Sequence, residues 1–200
     1  MMSGWPLSYS VGLAADLTAD LPLIRDSATD FAFYSFNMMG KAHWCEKTAL
    51  ELLSRLKLRL DTVPEVFVTA EAKAIALTQE LARNLWHDRY VVLRKSRKSY
   101  MQTPVSFRGD SITSGEQEYW VEQADLDYLH DKRVVLVDDV VSSGGTAKTF
   151  LKVIGLVRCR LEAFCCVLTE GTPWTEFEGV PVVSLNHIPL PGIIRDGASG

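Results

Sequence analysis

The sequence contains no apolar run approaching the ~20 residues a membrane-spanning helix needs, so no membrane partner is expected. The stretch Met1 to Ser10 has neither a cationic n-region nor an apolar h-region, so no secretory signal is expected. Basic excess is also missing. The formal net charge is -4 and the pI about 5.6, which gives no chain-wide footprint for nucleic acid, and no DNA partner is expected. Cysteine is scarce, and Cys45, Cys159, Cys165 and Cys166 lack metal-site spacing. Cys165 and Cys166 adjoin in an apolar strand pattern, where neighbours face opposite ways, and are expected as reduced core residues. His43, His87, His130 and His187 share no spacing that would mark a ligand set. Repeats, low-complexity segments and an interdomain linker are all missing. What remains is a 200-residue chain, 47% hydrophobic, long enough for one well-formed core. A single domain over 1–200 in the cytoplasm is the expectation.

Taken in order, residues 1–20 show weak periodicity and read as a lead-in. Leu21–Arg25 and Phe31–Phe36 read as two short strands around a turn-like Asp26–Asp30, a hairpin outside the main sheet. Cys45, Ala49, Leu52, Leu53, Leu56 and Leu60 fall at helical spacing and predict a helix over about 42–58. Pro64 breaks that pattern, and a strand over 65–69, a helix over 71–85 and a strand over 90–93 follow. This β-α-β succession is the mark of a parallel sheet with right-handed crossovers. From Arg94 the chain turns basic and polar. A strand pair over 105–112 and 118–121 around Thr113-Ser114-Gly115 lies in a long excursion that suits a functional lid. A helical turn over 125–130 precedes the next strand. Beyond it come a helix over 147–157 and strands over 161–168 and 180–185, with Pro189 and Pro191 breaking the tail. The tryptophans read as packing residues of the core or its cover.

The organising stretch is Val134 to Thr146. Four branched apolar residues in succession predict a strand buried on both faces. Asp138 and Asp139 end it, and the small-residue loop Ser142-Ser143-Gly144-Gly145 opens the following helix at Thr146. A glycine-rich turn at a helix start aims backbone N–H groups at an anion, and the helix dipole favours negative charge there. Two carboxylates and a phosphate cradle within one short loop suit a phosphorylated sugar carrying Mg²⁺. An isolated Asp-Asp is more often a turn or cap pair, but Gly-Gly-Thr at this spacing reverses that reading.

Val134 to Thr146 resembles the signature of the type I phosphoribosyltransferases. Glu71-Ala72-Lys73-Ala74 is similar to that family's pyrophosphate loop. Val91-Val92-Leu93-Arg94-Lys95-Ser96-Arg97-Lys98 is similar to the segment introducing the lid in its adenine and xanthine branch. The resemblance covers roughly 21–190. It implies an α/β fold, Rossmann-like, with a parallel central sheet flanked by helices, a small hood (about 21–40 and 170–195) and a flexible lid loop (about 99–116, including Tyr100). It also implies a reaction: a purine displaces pyrophosphate from C1 of phosphoribosyl pyrophosphate, in purine salvage. Carried over by position, Ser142, Ser143, Gly144, Gly145 and Thr146 would bind the 5′-phosphate. Asp138 and Asp139 would be the catalytic pair, facing the ribose hydroxyls directly or through Mg²⁺. Ala72, Lys73, Arg94, Lys95 and Lys98 would meet the pyrophosphate, and a homodimer is the family expectation. The plainer alternatives are a solvated charge run for Lys95 and Lys98 and a surface pair for Glu71 and Lys73.

Ser142 stands where the hypoxanthine/guanine branch usually carries an aspartate, which points to the adenine/xanthine branch. Asn37 resembles a hood asparagine that meets the purine edge. Glu170 stands where xanthine enzymes carry a lysine. A carboxylate there would repel an oxo group and accept from an exocyclic amine, so adenine is preferred. Asn37 as a helix cap and Glu170 as a turn residue are the alternatives. Two other functions stay open: a transferase for xanthine, orotate or another base, and a non-catalytic sensor of phosphoribosyl pyrophosphate. Repressors of the latter kind carry an added DNA-binding domain, for which the residues ahead of Leu21 are too few.

Overall fold

The computed structural model describes residues 5–109 and 117–193. Five parallel strands form the centre: β4 (Val66–Ala70), β5 (Val91–Leu93), β8 (Arg133–Val141), β9 (Arg160–Glu170) and β11 (Val180–Ile188). The two-residue β10 (Glu176–Phe177) adds antiparallel at one edge, giving the order β10-β11-β9-β8-β4-β5. The branched apolar runs form these strands because both faces are covered. Alternate residues divide between two cores: Phe67, Val135, Val137 and Cys165 on one side, Val66, Val68, Val134, Leu136 and Cys166 on the other. The paired cysteines are therefore buried on opposite faces, and both are free thiols.

Helix α1 (Ala42–Arg59) and helix α2 (Ile75–Asn84) cover the first face. Cys45, Ala49, Leu52 and Leu56 recur at helical spacing on the buried side of α1, each full burial of a leucine-sized chain stabilising by roughly 1.5–3 kcal/mol. Arg55 fastens α1 to the sheet, donating to the carbonyls of Ser184 and Leu185 at 2.7 and 2.8 Å. Helices α3 (Gln123–Leu129) and α4 (Gly145–Leu156) cover the second face through Leu126, Leu129, Phe150 and Val153.

The order of strands makes β4 and β8 neighbours, with Thr69 opposite Val137 and the Thr69 hydroxyl donating to the Val137 carbonyl at 2.9 Å. After β4 the chain moves to one side of the sheet, and after β8 to the other. Their carboxyl ends flank the switch point, the place where open α/β sheets hold ligands.

Several expectations are corrected. The lead-in contains β1 (Ser8–Ala14), which pairs antiparallel with β2 (Leu17–Arg25). The cause is a period-two alternation: Val11 and Leu13 are buried between exposed Ser8, Ser10 and Gly12. β2 pairs with β3 (Phe31–Tyr34), and β12 (Gly192–Ile193) closes the hood sheet against β3 despite Pro191 beside it. The helix predicted from 71 begins at Ile75, leaving Glu71–Ala74 as a turn. Trp86 is 92% exposed, so it packs neither core nor hood. By contrast, the strand pair expected within the lid stretch is present among the described residues. β6 (Pro104–Gly109) pairs along its length with β7 (Gln117–Glu122), and Phe107, Tyr119 and Val121 are buried in the second core. Arg94 and Trp120 exchange two backbone hydrogen bonds of 2.8 Å, which pin this hairpin to the end of β5. The predicted turn Thr113-Ser114-Gly115 lies outside the described residues.

Candidate active site

At the switch point a cavity of about 210 Å³ opens between the two strand ends. Ala72, Lys73, Lys95, Asp138, Asp139 and Thr146 line it, so residues from all three segments singled out in the sequence meet there. Ala70, Glu71, Tyr119 and Val140 complete the wall.

Asp138 and Asp139 lie within β8, which runs two residues further than its sequence pattern suggests. The Asp139 N–H donates to Asp138 Oδ1 at 2.9 Å. Burial pushes the Asp138 carboxyl up to about 8, and the charge of Asp139 pushes the same way; the Asp139 N–H and the Thr146 hydroxyl favour the ionised form without overcoming burial. Asp139 is buried, its Oδ2 lacks a hydrogen-bond partner, and the Lys73 ammonium lies 3.7 Å from that oxygen. Lys73 thus faces Asp139 across the strand ends instead of pairing with Glu71.

The loop after β8 is shaped for close approach. Gly144 is the N-cap of α4 at φ +77°, and no side chain caps the helix, so its first N–H groups face outward. A Cβ on Gly144 would run into the ring of Phe177. Trp174 packs edge-on to Phe177 with centroids 5.3 Å apart, and its indole N–H donates to the Ser142 carbonyl at 2.7 Å. The segment between β9 and β11 therefore braces the loop from outside. Ser142 and Thr146 are half-buried and Ser143 is exposed.

Arg94, Lys95 and Lys98 gather around Glu71. The Lys95 N–H donates to Glu71 Oε2 at 2.9 Å, while Arg94 Nη1 and Lys98 Nζ each lie 3.4 Å from Oε1. Tyr119 reaches the cavity from β7; burial raises its hydroxyl, and the nearby Asp138 charge adds to the rise. Glu170 is half-buried at the end of β9. Burial raises its carboxyl, and the Lys73 charge partly offsets that. The remaining expected residues stand apart. Asn37 is exposed, and its Oδ1 accepts the Met39 N–H at 3.0 Å as a turn residue ahead of α1. Tyr100 is 64% exposed and does not line the cavity.

Sequence reasoning missed Tyr119, Trp174 and the carboxylate of Glu71. Only Glu71 carried a signal, its place beside Lys73 in a motif already noticed.

Among the described residues no group of three His, Cys, Asp or Glu could hold a metal by itself. The Asp138–Asp139 pair, with one buried carboxylate oxygen unpartnered, fits Mg²⁺ that takes its remaining ligands from water and substrate oxygens.

A doubly wound sheet with a phosphate-type loop beside two carboxylates at the switch point defines a class of open α/β proteins that hold anionic ligands at their strand ends. Comparison narrows it. The phosphoribosyl transferase domain family model matches residues 43–188, and the chain belongs to that family. A hypoxanthine/guanine phosphoribosyltransferase of Methanococcus voltae is 29% identical over 123 residues, 60% of this chain and 61% of the relative. The chain thus aligns with less than two thirds of that protein's length. A transcriptional regulator, GfcR, of Methanospirillum hungatei is 27% identical over 150 residues, 73% of this chain and 67% of the relative. The crystal structure of adenine phosphoribosyltransferase from Thermoanaerobacter pseudethanolicus superposes with a TM-score of 0.64 at 18% identity, covering 84% of this chain and 95% of that one. At that identity the likeness shows the fold.

Proposed function

We propose that the protein, acting as one domain over 1–200, transfers a 5-phosphoribosyl group from phosphoribosyl pyrophosphate to a purine, with adenine preferred. The observation that carries this reading is the convergence of Lys73, Lys95, Asp138, Asp139 and Thr146 on one cavity. The 5′-phosphate sits at the uncapped start of α4, where Ser142 to Thr146 offer N–H and hydroxyl donors. Asp138 and Asp139 face the ribose hydroxyls. Ala72 and Lys73 meet the pyrophosphate, with Arg94, Lys95 and Lys98 adding positive charge. A base nitrogen forms the new bond to C1 as the C1–O bond breaks; pyrophosphate leaves with the electron pair, and the proton lost from the base nitrogen passes to the departing pyrophosphate or to solvent. The transition state resembles an oxocarbenium ion, so alignment and charge complementarity supply most of the acceleration. Mg²⁺, when bound, neutralises charge on the leaving group. Glu170 favours adenine because an ionised carboxylate accepts from an exocyclic amine and repels an oxo group; the Asn37 amide, if turned inward, would donate to the same purine edge.

A second reading has one observation in its favour: the relative GfcR is named a transcriptional regulator. On that reading the same site senses phosphoribosyl pyrophosphate without turnover. Incubation with phosphoribosyl pyrophosphate, Mg²⁺ and each of adenine, guanine, hypoxanthine, xanthine and orotate, assayed for nucleotide, tests both. Product with adenine above the others is expected. Absence of product with every base sinks the enzyme reading, and donor binding without product supports the sensor.

A further inference from the structure

We infer that Glu71 is a positioning residue that holds the cationic arm Arg94–Lys98 in place for a pyrophosphate group, an inference that rests on the proposed reading of the site. The arm is gripped from two sides. On one side Arg94 is locked by its paired backbone bonds to Trp120 of the hairpin. On the other, a single carboxylate meets three of the arm's donors: the Lys95 N–H at 2.9 Å, and Arg94 Nη1 and Lys98 Nζ at 3.4 Å each. The Glu71 backbone reinforces the grip by donating to the Leu93 carbonyl at 2.8 Å.

The arrangement has an electrostatic reason. Two cationic side chains, Arg94 and Lys98, meet at one carboxylate oxygen before any anion arrives, and left alone they would repel one another and spread into solvent. An acidic group between them costs less than two disordered side chains, each of which would lose rotamer freedom on binding. Burial would raise the Glu71 carboxyl, but the Lys95 N–H and the charges of Lys98 and Arg94 together hold it below its ordinary value, so it stays ionised at neutral pH. A carboxylate would repel pyrophosphate directly, so Glu71 acts through the cations it orders. Lys98 Nζ is also held by the Ser96 hydroxyl at 2.9 Å, so the arm keeps its shape when an anion draws the ammonium away from Glu71.

The test uses the whole chain with inorganic pyrophosphate and Mg²⁺, followed by calorimetry, and compares wild type with Glu71→Gln and Glu71→Asp. Glu71→Gln keeps the size and loses the charge; Glu71→Asp keeps the charge with a shorter reach. Loss of one charge-assisted contact set predicts pyrophosphate binding weaker by roughly tenfold in Glu71→Gln and by less in Glu71→Asp. In turnover the KM for phosphoribosyl pyrophosphate rises by a similar factor in Glu71→Gln while kcat changes by about twofold or less. Thermal unfolding checks that each variant is folded at the assay temperature. Unchanged pyrophosphate affinity in folded Glu71→Gln overturns the inference, and so does an equal loss in both variants, which would mark a purely structural role. Wild type that binds no pyrophosphate overturns the site reading itself and the inference with it.

Discussion

The Lys73 ammonium lies 3.7 Å from Asp139 Oδ2, so a cation from the turn after β4 faces a carboxylate from the end of β8. The pair links the proposed pyrophosphate end of the site to its ribose end. A ligand bearing both groups would separate them, the ammonium turning to phosphate oxygens and the carboxylate to hydroxyls or a hydrated cation.

Replacing both Asp138 and Asp139 by asparagine retains shape and removes the charge. On the proposed reading, turnover falls by at least about a hundredfold, the range seen when groups that stabilise transition-state charge are lost. Circular dichroism should show a native fold. Unchanged turnover refutes the ribose and Mg²⁺ role.

The raised Asp138 carboxyl makes stability depend on pH. Below 3.8, its ordinary value, the group is protonated folded or unfolded and contributes nothing to the dependence. Between there and about 8 the unfolded chain releases the proton while the folded chain keeps it, so stability falls as pH rises; above about 8 the penalty is complete and constant. Asp138→Asn removes this term. Its melting temperature relative to wild type, measured without ligand or metal, should climb from pH 4 to a plateau near pH 8. A flat difference contradicts the burial argument.

Gly144 holds φ +77° with the Phe177 ring against the space a Cβ would fill. Gly144→Ala meets two obstacles: left-handed backbone costs an L-residue roughly 1–2 kcal/mol, and the ring must move. Denaturant unfolding should show that loss or more. Adding Phe177→Leu, which relieves only the ring contact, should recover part of it. Full recovery would mean that the backbone conformation contributes nothing.

Trp174→Phe keeps the aromatic packing against Phe177 and removes the hydrogen bond to the Ser142 carbonyl. A neutral hydrogen bond contributes about 1 kcal/mol net, which corresponds to roughly fivefold weaker donor binding if it serves to hold the phosphate loop. The KM for phosphoribosyl pyrophosphate reports this. An unchanged KM with lowered stability would confine Trp174 to packing.

Local pattern was enough for most elements and for one wall of the site. The apolar run before Asp138, the glycines before Thr146 and the spacing of Leu52 and Leu56 depend on neighbours in the chain, so they are legible as letters. β1 was less legible, because only Val11 and Leu13 mark its alternation among small and polar neighbours. The extent of α2 was not legible, because Glu71 to Ala74 have no local reason to leave the helix; a contact with Arg94, Lys95 and Lys98 draws Glu71 away.

Composition and periodicity thus decided the α/β class, the buried strands, the phosphate-type loop and the acidic pair, each a matter of a few adjacent residues. Tertiary structure decided that β8 lies beside β4, which brings Lys73 to Asp139; that the β6–β7 hairpin docks at the end of β5, which brings Tyr119 to the cavity; and that the segment after β9 folds back, which brings Trp174 to the Ser142 carbonyl. Strand order depends on which distant strand completes the burial of each apolar face, and periodicity along a single strand does not encode its neighbour.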